Sequence, residues 1–503
     1  MRVFTSKLWM LVWAPLLLAL LLIGAGRSDS PDKQPGSRRP AVAGAFYPAD
    51  PIELEKMVDG FLAAATPPKL AEPVALVVPH AGYVYSGPVA AQAYALLKGR
   101  KVSRVVVIAP SHYEAFPFAA VYEGDAYVTP LGSISVDKEF AARLAKGSLI
   151  KLSSRGHSSS GTQAEHSLEV QLPFLQRTLG SFSLVPIVMG DQSYQSARAL
   201  GVALARLIRG SDTIIIASSD LSHFHPYDRA VDLDSKTLRA VEDWDYLTLS
   251  RSFSLGLWEA CGGGPIVAAM IAAERLGATQ AKVLKYANSG DRGGDRSRVV
   301  GYGAVAFLRS ADPRPASSEL LLNQQERREL LEIARRSVEA AVKHTAYKPP
   351  PTSDPALQQE RGVFVTVTAK GQLRGCIGYV MPLKPLYLAV SEVAVLAALE
   401  DNRFPPVTAG ELDQLHYEVS VLSPFRRLLD VRQVEVGRHG LLVRKGPYEG
   451  VLLPQVPVEQ HWDRKTFVEQ ACVKAGLPPQ AWQDDDTDLF VFSALVFGEH
   501  EPR

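Results

Sequence analysis

The sequence predicts two domains: an α/β layered domain with a mainly parallel sheet, followed by an α+β domain. Short runs rich in β-branched residues, such as Val74 to Val78, are typical of strands buried on both faces. Helical patterns alternate with these runs over residues 39–309, which is typical of layered α/β folds. Over residues 323–498 strands and helices mix without regular alternation, which indicates an α+β domain.

The elements of the first domain follow one another at short intervals. Helices are predicted where apolar residues recur at helical spacing, and strands where short apolar runs are continuous. In chain order we predict a helix at 52–65, a strand at 74–78, a helix at 89–97, a strand at 105–109, helices at 138–146 and 168–179, a strand at 183–189, a helix at 196–209 and a strand at 213–217.

A linker at residues 310–322 is predicted to separate the two domains, because Ser310 to Ser318 is rich in proline, alanine and serine. We find no internal repeat, so the halves are predicted to be unrelated units. In the second domain we predict helices at 324–344, 385–400 and 464–475, and strands at 362–368, 415–422, 440–443, 449–453 and 489–496.

The N-terminal segment has the charge and hydropathy pattern of an export signal. Arg2 and Lys7 precede an uncharged stretch from Leu8 to Gly26. This order predicts a signal peptide or signal anchor at residues 1–27, followed by a tether at 28–38. We therefore expect an exported protein that is periplasmic, otherwise extracytoplasmic, or anchored to the outer side of the cytoplasmic membrane.

The composition excludes several classes of protein. The 503 residues carry a formal net charge of +1 without a long basic block, so we expect no nucleic acid partner. The three cysteines, Cys261, Cys376 and Cys472, are widely separated. That spacing excludes a disulfide framework and a structural zinc ribbon.

Ionisable side chains follow three of the predicted strands. His80 and His112 each come directly after a strand, and Asp220 and His223 come after a third. Ligands of parallel sheets bind beyond the carboxyl ends of the strands, so these groups are expected to converge on one site. The alternative is that each histidine only completes a loop, but three strand ends with the same feature favour the shared site.

Two further segments carry reactive side chains. Glu165 and His166 lie at the start of a predicted helix, where Glu165 would also complement the helix dipole. Cys261 precedes three glycines, which permit close approach of a ligand, and a helix whose dipole would stabilise a thiolate. A lone cysteine is also commonly a small buried apolar side chain, so both interpretations of Cys261 stay open.

At these residues the chain resembles the Memo family over nearly all of the first domain. The resemblance implies the fold of class III extradiol dioxygenases, with iron bound by two histidines and a cysteine. Transferred residue by residue, it makes His80, His112 and Cys261 the metal ligands and places Asp220 and His223 at the pocket. The matching segments are residues 42–48, 79–83, 110–112, 165–169, 218–223, 260–265 and 286–291.

The chemistry of these side chains leaves the metal open. A thiolate in place of the usual carboxylate makes the ligand set softer, so it also suits copper or zinc. His223 is the best candidate for general acid/base chemistry, because an unperturbed imidazole has a pKa of about 6.5. Asp220 and His166 complete the predicted catalytic set.

The second domain resembles the AMMECR family, whose biochemical role is not established. Arg374 could activate the neighbouring Cys376 thiol, but we favour a packing role because glycines flank this cysteine. Memo-like, AMMECR-like and radical-SAM proteins form a group called the AmmeMemoRadiSam system, so the resemblance implies a radical-SAM protein as partner. The matching segments are residues 373–378, 401–406, 452–455, 462 and 467–477.

The residues predict a metal-binding protein, and the resemblance implies an iron-dependent oxidoreductase of dioxygenase-like type. Its substrate would be an unidentified small molecule or modified protein group. One alternative is a noncatalytic scaffold that binds a metal or a peptide. Another is a metal-assisted hydrolase that uses His223 or His166 as base.

Overall fold

The computed structural model describes residues 36–310, 321–382 and 384–499. The predicted signal or anchor at 1–27, the tether up to residue 35 and the linker residues 311–320 lie outside the described residues. No helix in the described ranges combines the length and the apolar composition that crossing a bilayer requires.

A mixed sheet forms the centre of the first domain. Within the described residues it has nine strands in the order β10-β12-β2-β9-β3-β8-β4-β7, with β11 paired to β12. A separate small sheet has the order β1-β5-β6. The strands are β1 (Ser37–Arg38), β2 (Glu72–Val78), β3 (Arg104–Pro110), β4 (Ala119–Val121), β5 (Ala126–Thr129), β6 (Gly132–Ser135), β7 (Ile150–Leu152), β8 (Ser183–Met189), β9 (Thr213–Ser218), β10 (His223–His225), β11 (Gln280–Asn288) and β12 (Val299–Arg309).

The prediction of a mainly parallel sheet is wrong. Strands β2, β9, β3 and β8 are parallel neighbours, as expected. However, β12 runs antiparallel to β2, β11 and β10, and β4 runs antiparallel to β8. A strand that is buried on both faces has the same continuous apolar pattern in either orientation, so the sequence could not reveal these directions.

Helices cover both faces of this sheet. Leu76 and Val78 of β2 pack into a core with α1, α2 and α4, whereas Ala75 and Val77 pack into the opposite core with α5, α7 and α8. Alternate residues of one strand thus enter different cores, because successive side chains point to opposite faces. The helices are α1 (Pro51–Ala64), α2 (Tyr83–Tyr94), α3 (Lys138–Leu144), α4 (Leu172–Leu179), α5 (Tyr194–Ile208), α6 (Tyr227–Glu242), α7 (Tyr246–Ser254) and α8 (Gly263–Arg275).

The second domain has an antiparallel sheet in the order β14-β13-β15-β19-β17-β18, with β16 paired to β19. Helices α9 and α11 pack over one part of this sheet and α13 over another. The mixed α/β character and the two-domain layout are therefore confirmed. The elements are α9 (Gln324–Val342), α10 (Pro355–Gln358), β13 (Val363–Ala369), β14 (Gln372–Tyr379), α11 (Leu386–Leu399), β15 (Leu415–Leu422), β16 (Arg426–Arg427), β17 (His439–Lys445), β18 (Tyr448–Leu452), α12 (Gln455–Glu459), α13 (Arg464–Lys474) and β19 (Asp488–Gly498).

The two domains share a buried interface. One continuous hydrophobic core contains residues of α5, α7 and α8 together with residues of β17 and β19, and the rings of Tyr246 and Phe490 lie 5.9 Å apart. Beside them, Asp488 accepts hydrogen bonds from Tyr194 at 3.0 Å and from Arg198 at 3.1 Å. A linker rich in proline and serine did not predict this contact, because linker composition carries no information about the surfaces that meet.

Candidate metal centre

His80 lies directly after β2 and is buried against β9. Its backbone N–H donates to Oδ1 of Asp220 at 2.8 Å, and its Nδ1 lies 2.8 Å from Oγ of Ser218. The Ser218 hydroxyl donates its single proton to the carbonyl oxygen of Ser167 at 2.5 Å, so it must accept from His80. Nδ1 of His80 therefore carries the proton, and its Nε2 lone pair is free to bind a cation. Burial, followed by the nearby histidines, lowers the pKa of His80 and keeps this ring neutral.

His112 follows β3 and is oriented by Glu165. Nδ1 of His112 lies 2.9 Å from Oε1 of Glu165, and its backbone N–H donates to Oε2 at 2.6 Å. Burial would raise the pKa of Glu165, but hydrogen bonds from His112 and from the Ser167 backbone outweigh it and lower this pKa to about 2. An ionised carboxylate only accepts, so Nδ1 of His112 is the donor and Nε2 carries the lone pair.

Cys261 lies in the turn before α8. Its Sγ is 3.1 Å from Nε2 of His80, and the backbone N–H of Asp220 donates to it at 3.2 Å. A Cβ at Gly262 would lie 2.3 Å from the carbonyl oxygen of Ser218, so only glycine lets the turn approach β9 this closely. Burial and then the Asp220 charge raise the pKa of the Cys261 thiol, whereas a cation beside it would favour the thiolate.

These three side chains form a possible metal site. Within the described ranges, two groups of potential ligands have donor atoms that all lie within 4.8 Å of one another. They are His80, His112 and Cys261, and an overlapping group of His112, Glu165 and His166. The first group offers two imidazole Nε2 atoms, whose rings are oriented by hydrogen bonds at Nδ1, and one sulfur. Such a set fits iron, copper or zinc and does not fit calcium or magnesium, which prefer oxygen ligands.

Asp220 lies beside the site, and its carboxylate binds backbone amides. It accepts from His80 N–H and is also hydrogen-bonded to the Ala81 N–H. Burial raises the pKa of Asp220 to about 7, and these two amide hydrogen bonds partly offset the effect. Asp220 therefore links the loop after β2 to the end of β9, and in the described residues it belongs to neither group of potential ligands.

His166 and His223 both lie close to the site. The ring of His166 stacks on that of His112 with centroids 4.8 Å apart, and burial lowers the pKa of His166 to about 4. Nδ1 of His223 donates to the carbonyl oxygen of Leu221 at 2.8 Å, which leaves its Nε2 as the acceptor. Burial also lowers the pKa of His223. At neutral pH both rings are therefore unprotonated, and each is a weaker base than the unperturbed imidazole on which the prediction for His223 relied.

Two supporting residues were missed by the sequence analysis. Ser218, which fixes the His80 tautomer, appeared only as the first residue of the matching segment 218–223 and was given no role of its own. Arg38 is buried in β1 and donates to Oε2 of Glu169 at 2.6 Å, to the His157 carbonyl at 3.0 Å and to the Glu165 carbonyl. It thereby holds the loop that carries Glu165 and His166. These contacts join residues more than a hundred positions apart, so no local pattern signals them.

Cys376 of the second domain is not activated by its neighbour Arg374. The Arg374 guanidinium binds Glu411 at 2.8 Å and the carbonyl oxygen of Pro405 at 2.6 Å. Sγ of Cys376 instead accepts a hydrogen bond from Thr366 at 3.3 Å, and burial raises its pKa. This environment favours the packing role for Cys376.

Comparisons with known proteins agree with the two-domain division. Residues 38–306 match the family model described as Memo-like protein, and residues 331–497 match the model described as AMMECR1. MEMO1 family proteins of Methanopyrus kandleri and Sulfolobus acidocaldarius are 39% and 38% identical over 287 residues, which is 54% of this chain and 99% of each relative. A protein of Thermococcus kodakarensis is 47% identical over 186 residues, which is 35% of this chain and 90% of that protein.

Among solved structures, an uncharacterized protein of Pyrococcus horikoshii is 44% identical, with a TM-score of 0.33, and the match covers 35% of this chain and 91% of that chain. An uncharacterized protein of Escherichia coli is 14% identical, with a TM-score of 0.32, over 47% of this chain and all of that chain. The family models, which match both domains, decide the assignment. The chain belongs to the Memo-like protein family and carries an AMMECR1 domain after its Memo domain.

Proposed function

We propose that the Memo domain binds one iron ion through His80, His112 and Cys261 and supports oxidoreductase chemistry of the dioxygenase type. The main support is the hydrogen bonding of the two histidines. Ser218 accepts from Nδ1 of His80 and Glu165 accepts from Nδ1 of His112, so both Nε2 atoms are left to bind a metal. A histidine that only completes a loop needs no such arrangement. Iron in a three-ligand site of this kind would supply redox chemistry and Lewis acidity.

The protein's own groups then have distinct tasks. Glu165 and Ser218 orient the two imidazoles, and hydrogen-bonded partners of this kind raise the basicity of a histidine ligand. His223 and His166 remain the proposed proton-exchanging groups, and burial, which lowers both pKa values, makes each a weaker base than a free imidazole. Asp220 accepts hydrogen bonds from the backbone of the loop that carries His80, and so holds this loop against the end of β9. The substrate is proposed to be a small molecule or a modified protein group.

Metal analysis of the protein purified anaerobically from its own host tests this function. Stoichiometric iron that binds nitric oxide, read as an electron paramagnetic resonance signal, is the expected result, because a three-ligand site leaves positions open. His223→Ala should keep the iron. Stoichiometric zinc would replace the proposal by the hydrolase, and iron that reacts with neither nitric oxide nor oxygen would replace it by the scaffold.

We also propose that the protein works outside the cytoplasm. The support is the order of basic, apolar and small residues in positions 1–27. A protease added to intact spheroplasts should digest the protein, and full protection would contradict this location. A radical-SAM protein remains the proposed partner, and co-purification from the native host under anaerobic conditions tests it.

A further inference from the structure

The turn that carries Cys261 is held by a side chain from a fourth strand end, that of β8. Gln192 lies three residues after β8, and its Nε2 donates to the carbonyl oxygen of Cys261 at 2.9 Å. Its Oε1 accepts from the backbone N–H of Gly264, also at 2.9 Å. A carbonyl only accepts and an N–H only donates, so one orientation of the amide satisfies both contacts. Gln192 therefore joins the residue that carries the sulfur to the first turn of α8.

These contacts replace an ordinary helix cap. Gly262 is the N-cap of α8 and has no side chain that could accept from the first N–H groups of the helix. Ser219 Oγ accepts from the Gly262 N–H at 2.9 Å, and Gln192 accepts from the Gly264 N–H. A Cβ at Gly264 would lie 2.8 Å from Cβ of Gln192, so this glycine gives the side chain room. The position of the Cys261 turn thus depends on residues outside its own segment.

Gln192 is firmly attached to the start of α5. The carboxylate of the preceding Asp191 accepts from the Ser193 N–H at 2.9 Å, from the Ser193 hydroxyl at 2.9 Å and from the Ser196 hydroxyl at 2.5 Å. Ser193 is also the N-cap of α5, and its Oγ accepts from the Ser196 N–H. A shift of the first turn of α5 would therefore move Gln192 with it.

The AMMECR1 domain contacts α5 at the same place. Tyr194, the first residue of α5, is buried, and its hydroxyl donates to Oδ2 of Asp488 at 3.0 Å. The Arg444 guanidinium lies 4.4 Å from the centre of the Tyr194 ring. Arg198, one turn further along α5, donates to Oδ1 of Asp488 at 3.1 Å. Asp488 belongs to β19 and Arg444 to β17, so the AMMECR1 domain holds the helix start that follows Gln192.

We propose that the AMMECR1 domain positions the sulfur ligand of the metal centre. Asp488 holds Tyr194 at the start of α5, and Gln192, two residues earlier, holds the turn of Cys261. Gln192 and Tyr194 are positioning residues, because both act through that turn. A metal site needs its ligands held within about 0.5 Å of the productive geometry, so support of this kind matters for binding. The inference rests on the proposed metal site and gives the second domain a task there.

Cobalt(II) titration of the full chain tests the proposal, because a thiolate bound to cobalt gives a charge-transfer absorption band that reports the Co–S bond. Gln192→Met has a similar shape and removes both hydrogen bonds, so it should weaken cobalt binding by about 10–100-fold and reduce the band at saturating cobalt. Tyr194→Phe removes only the hydroxyl that binds Asp488 and should weaken binding by about 2–30-fold, with a smaller change in the band. A merely structural role would lower the free energy of unfolding and leave the band of the folded protein unchanged.

Two matched variants serve as controls. Gln195→Met changes an exposed glutamine on the same helix, and Lys236→Gln breaks a different contact between the domains, the ion pair with Glu360. Both should keep the parent's cobalt affinity and band. The double variant of Gln192→Met and Tyr194→Phe should bind cobalt as Gln192→Met does, because Tyr194 acts through Gln192.

The outcomes separate this inference from the proposed function. A parent chain that binds cobalt without the thiolate band contradicts Cys261 as a ligand, and this inference falls with it. A parent chain with the band, in which either single variant keeps the parent's affinity and spectrum, overturns the inference alone. Additive losses in the double variant also overturn it, since the two residues would then act independently. Weaker binding and an altered band in both single variants, with no further loss in the double variant and with unchanged controls, support it.

Discussion

The Glu165 carboxylate holds His112 through both the ring and the backbone, with Nδ1 at 2.9 Å and the backbone N–H at 2.6 Å. Because Glu165 is ionised, this contact decides which nitrogen of His112 is left to bind a metal. The pair is therefore the link between the loop at 157–169 and the proposed metal centre.

Replacing Glu165 by Gln should weaken metal binding by about 10–100-fold, because the hydrogen-bonded partner of a metal ligand sets its orientation and basicity. Metal affinity measured by competition with a chelator checks this expectation. Glu53→Gln, an exposed change on α1, is the matched control and should bind as the parent does. Equal affinities for the parent and Glu165→Gln would show that Glu165 does not orient a ligand.

Replacing Gly262 by Ala should disturb the Cys261 turn, because the added Cβ would meet the Ser218 carbonyl at 2.3 Å. We expect a loss of about 1–3 kcal/mol in the free energy of unfolding, together with weaker metal binding. Gly60→Ala on α1 is the control, since nothing lies within 4 Å of its Cβ, and it should stabilise the protein by about 0.5–1 kcal/mol. A Gly262→Ala variant with the parent's free energy of unfolding and metal affinity would contradict the observed close packing.

Replacing the buried Asp488 by Asn should destabilise the chain by about 3–5 kcal/mol, because it leaves three partly buried arginines without their carboxylate. Arg198, Arg275 and Arg427 all contact Asp488 across or beside the domain interface. Urea denaturation measures the effect. Asp485→Asn, which breaks an exposed pair with Arg206, should cost about 1 kcal/mol or less. If both variants cost the same, the interdomain cluster is not a stabilising contact.

Asp245 should make folding stability depend on pH. Burial raises its pKa to about 6, and its neighbours Asp243 and Arg361 act in opposite directions. Below pH about 4 Asp245 is protonated in both the folded and the unfolded chain, and the folded state keeps its full stability. As pH rises through about 6 the buried carboxyl group must ionise in the folded chain, and this stability is lost. Asp245→Asn keeps the hydrogen bond from the Thr248 N–H, which caps α7, and removes this titration.

The variant should therefore gain stability relative to the parent by about 2–3 kcal/mol between pH 4 and pH 7.5. Urea denaturation at both pH values measures this difference. The exposed Asp228→Asn variant serves as the control and should show no such trend. A constant difference between Asp245→Asn and the parent would mean that the Asp245 pKa is not raised.

The strands and the meeting of their ends could be predicted from the sequence, because continuous β-branched runs and the polar residues after them are local features. The predicted helix at 89–97 is displaced from the observed one, since α2 begins at Tyr83, ends at Tyr94 and contains Pro88. Strand direction, the Ser218 and Glu165 contacts and the domain interface depend on residues far apart in the chain. No local pattern in a single sequence shows which of these distant residues will contact each other.

The metal content of single variants tests the central claim most directly. His80→Ala, His112→Ala and Cys261→Ser, each checked for folding by circular dichroism, should all lose the metal, while His223→Ala and Asp220→Asn should retain most of it. Elemental analysis after identical anaerobic purification gives the answer. If Cys261→Ser keeps the metal and Asp220→Asn loses it, the third ligand is the carboxylate and the proposed thiolate ligand is wrong.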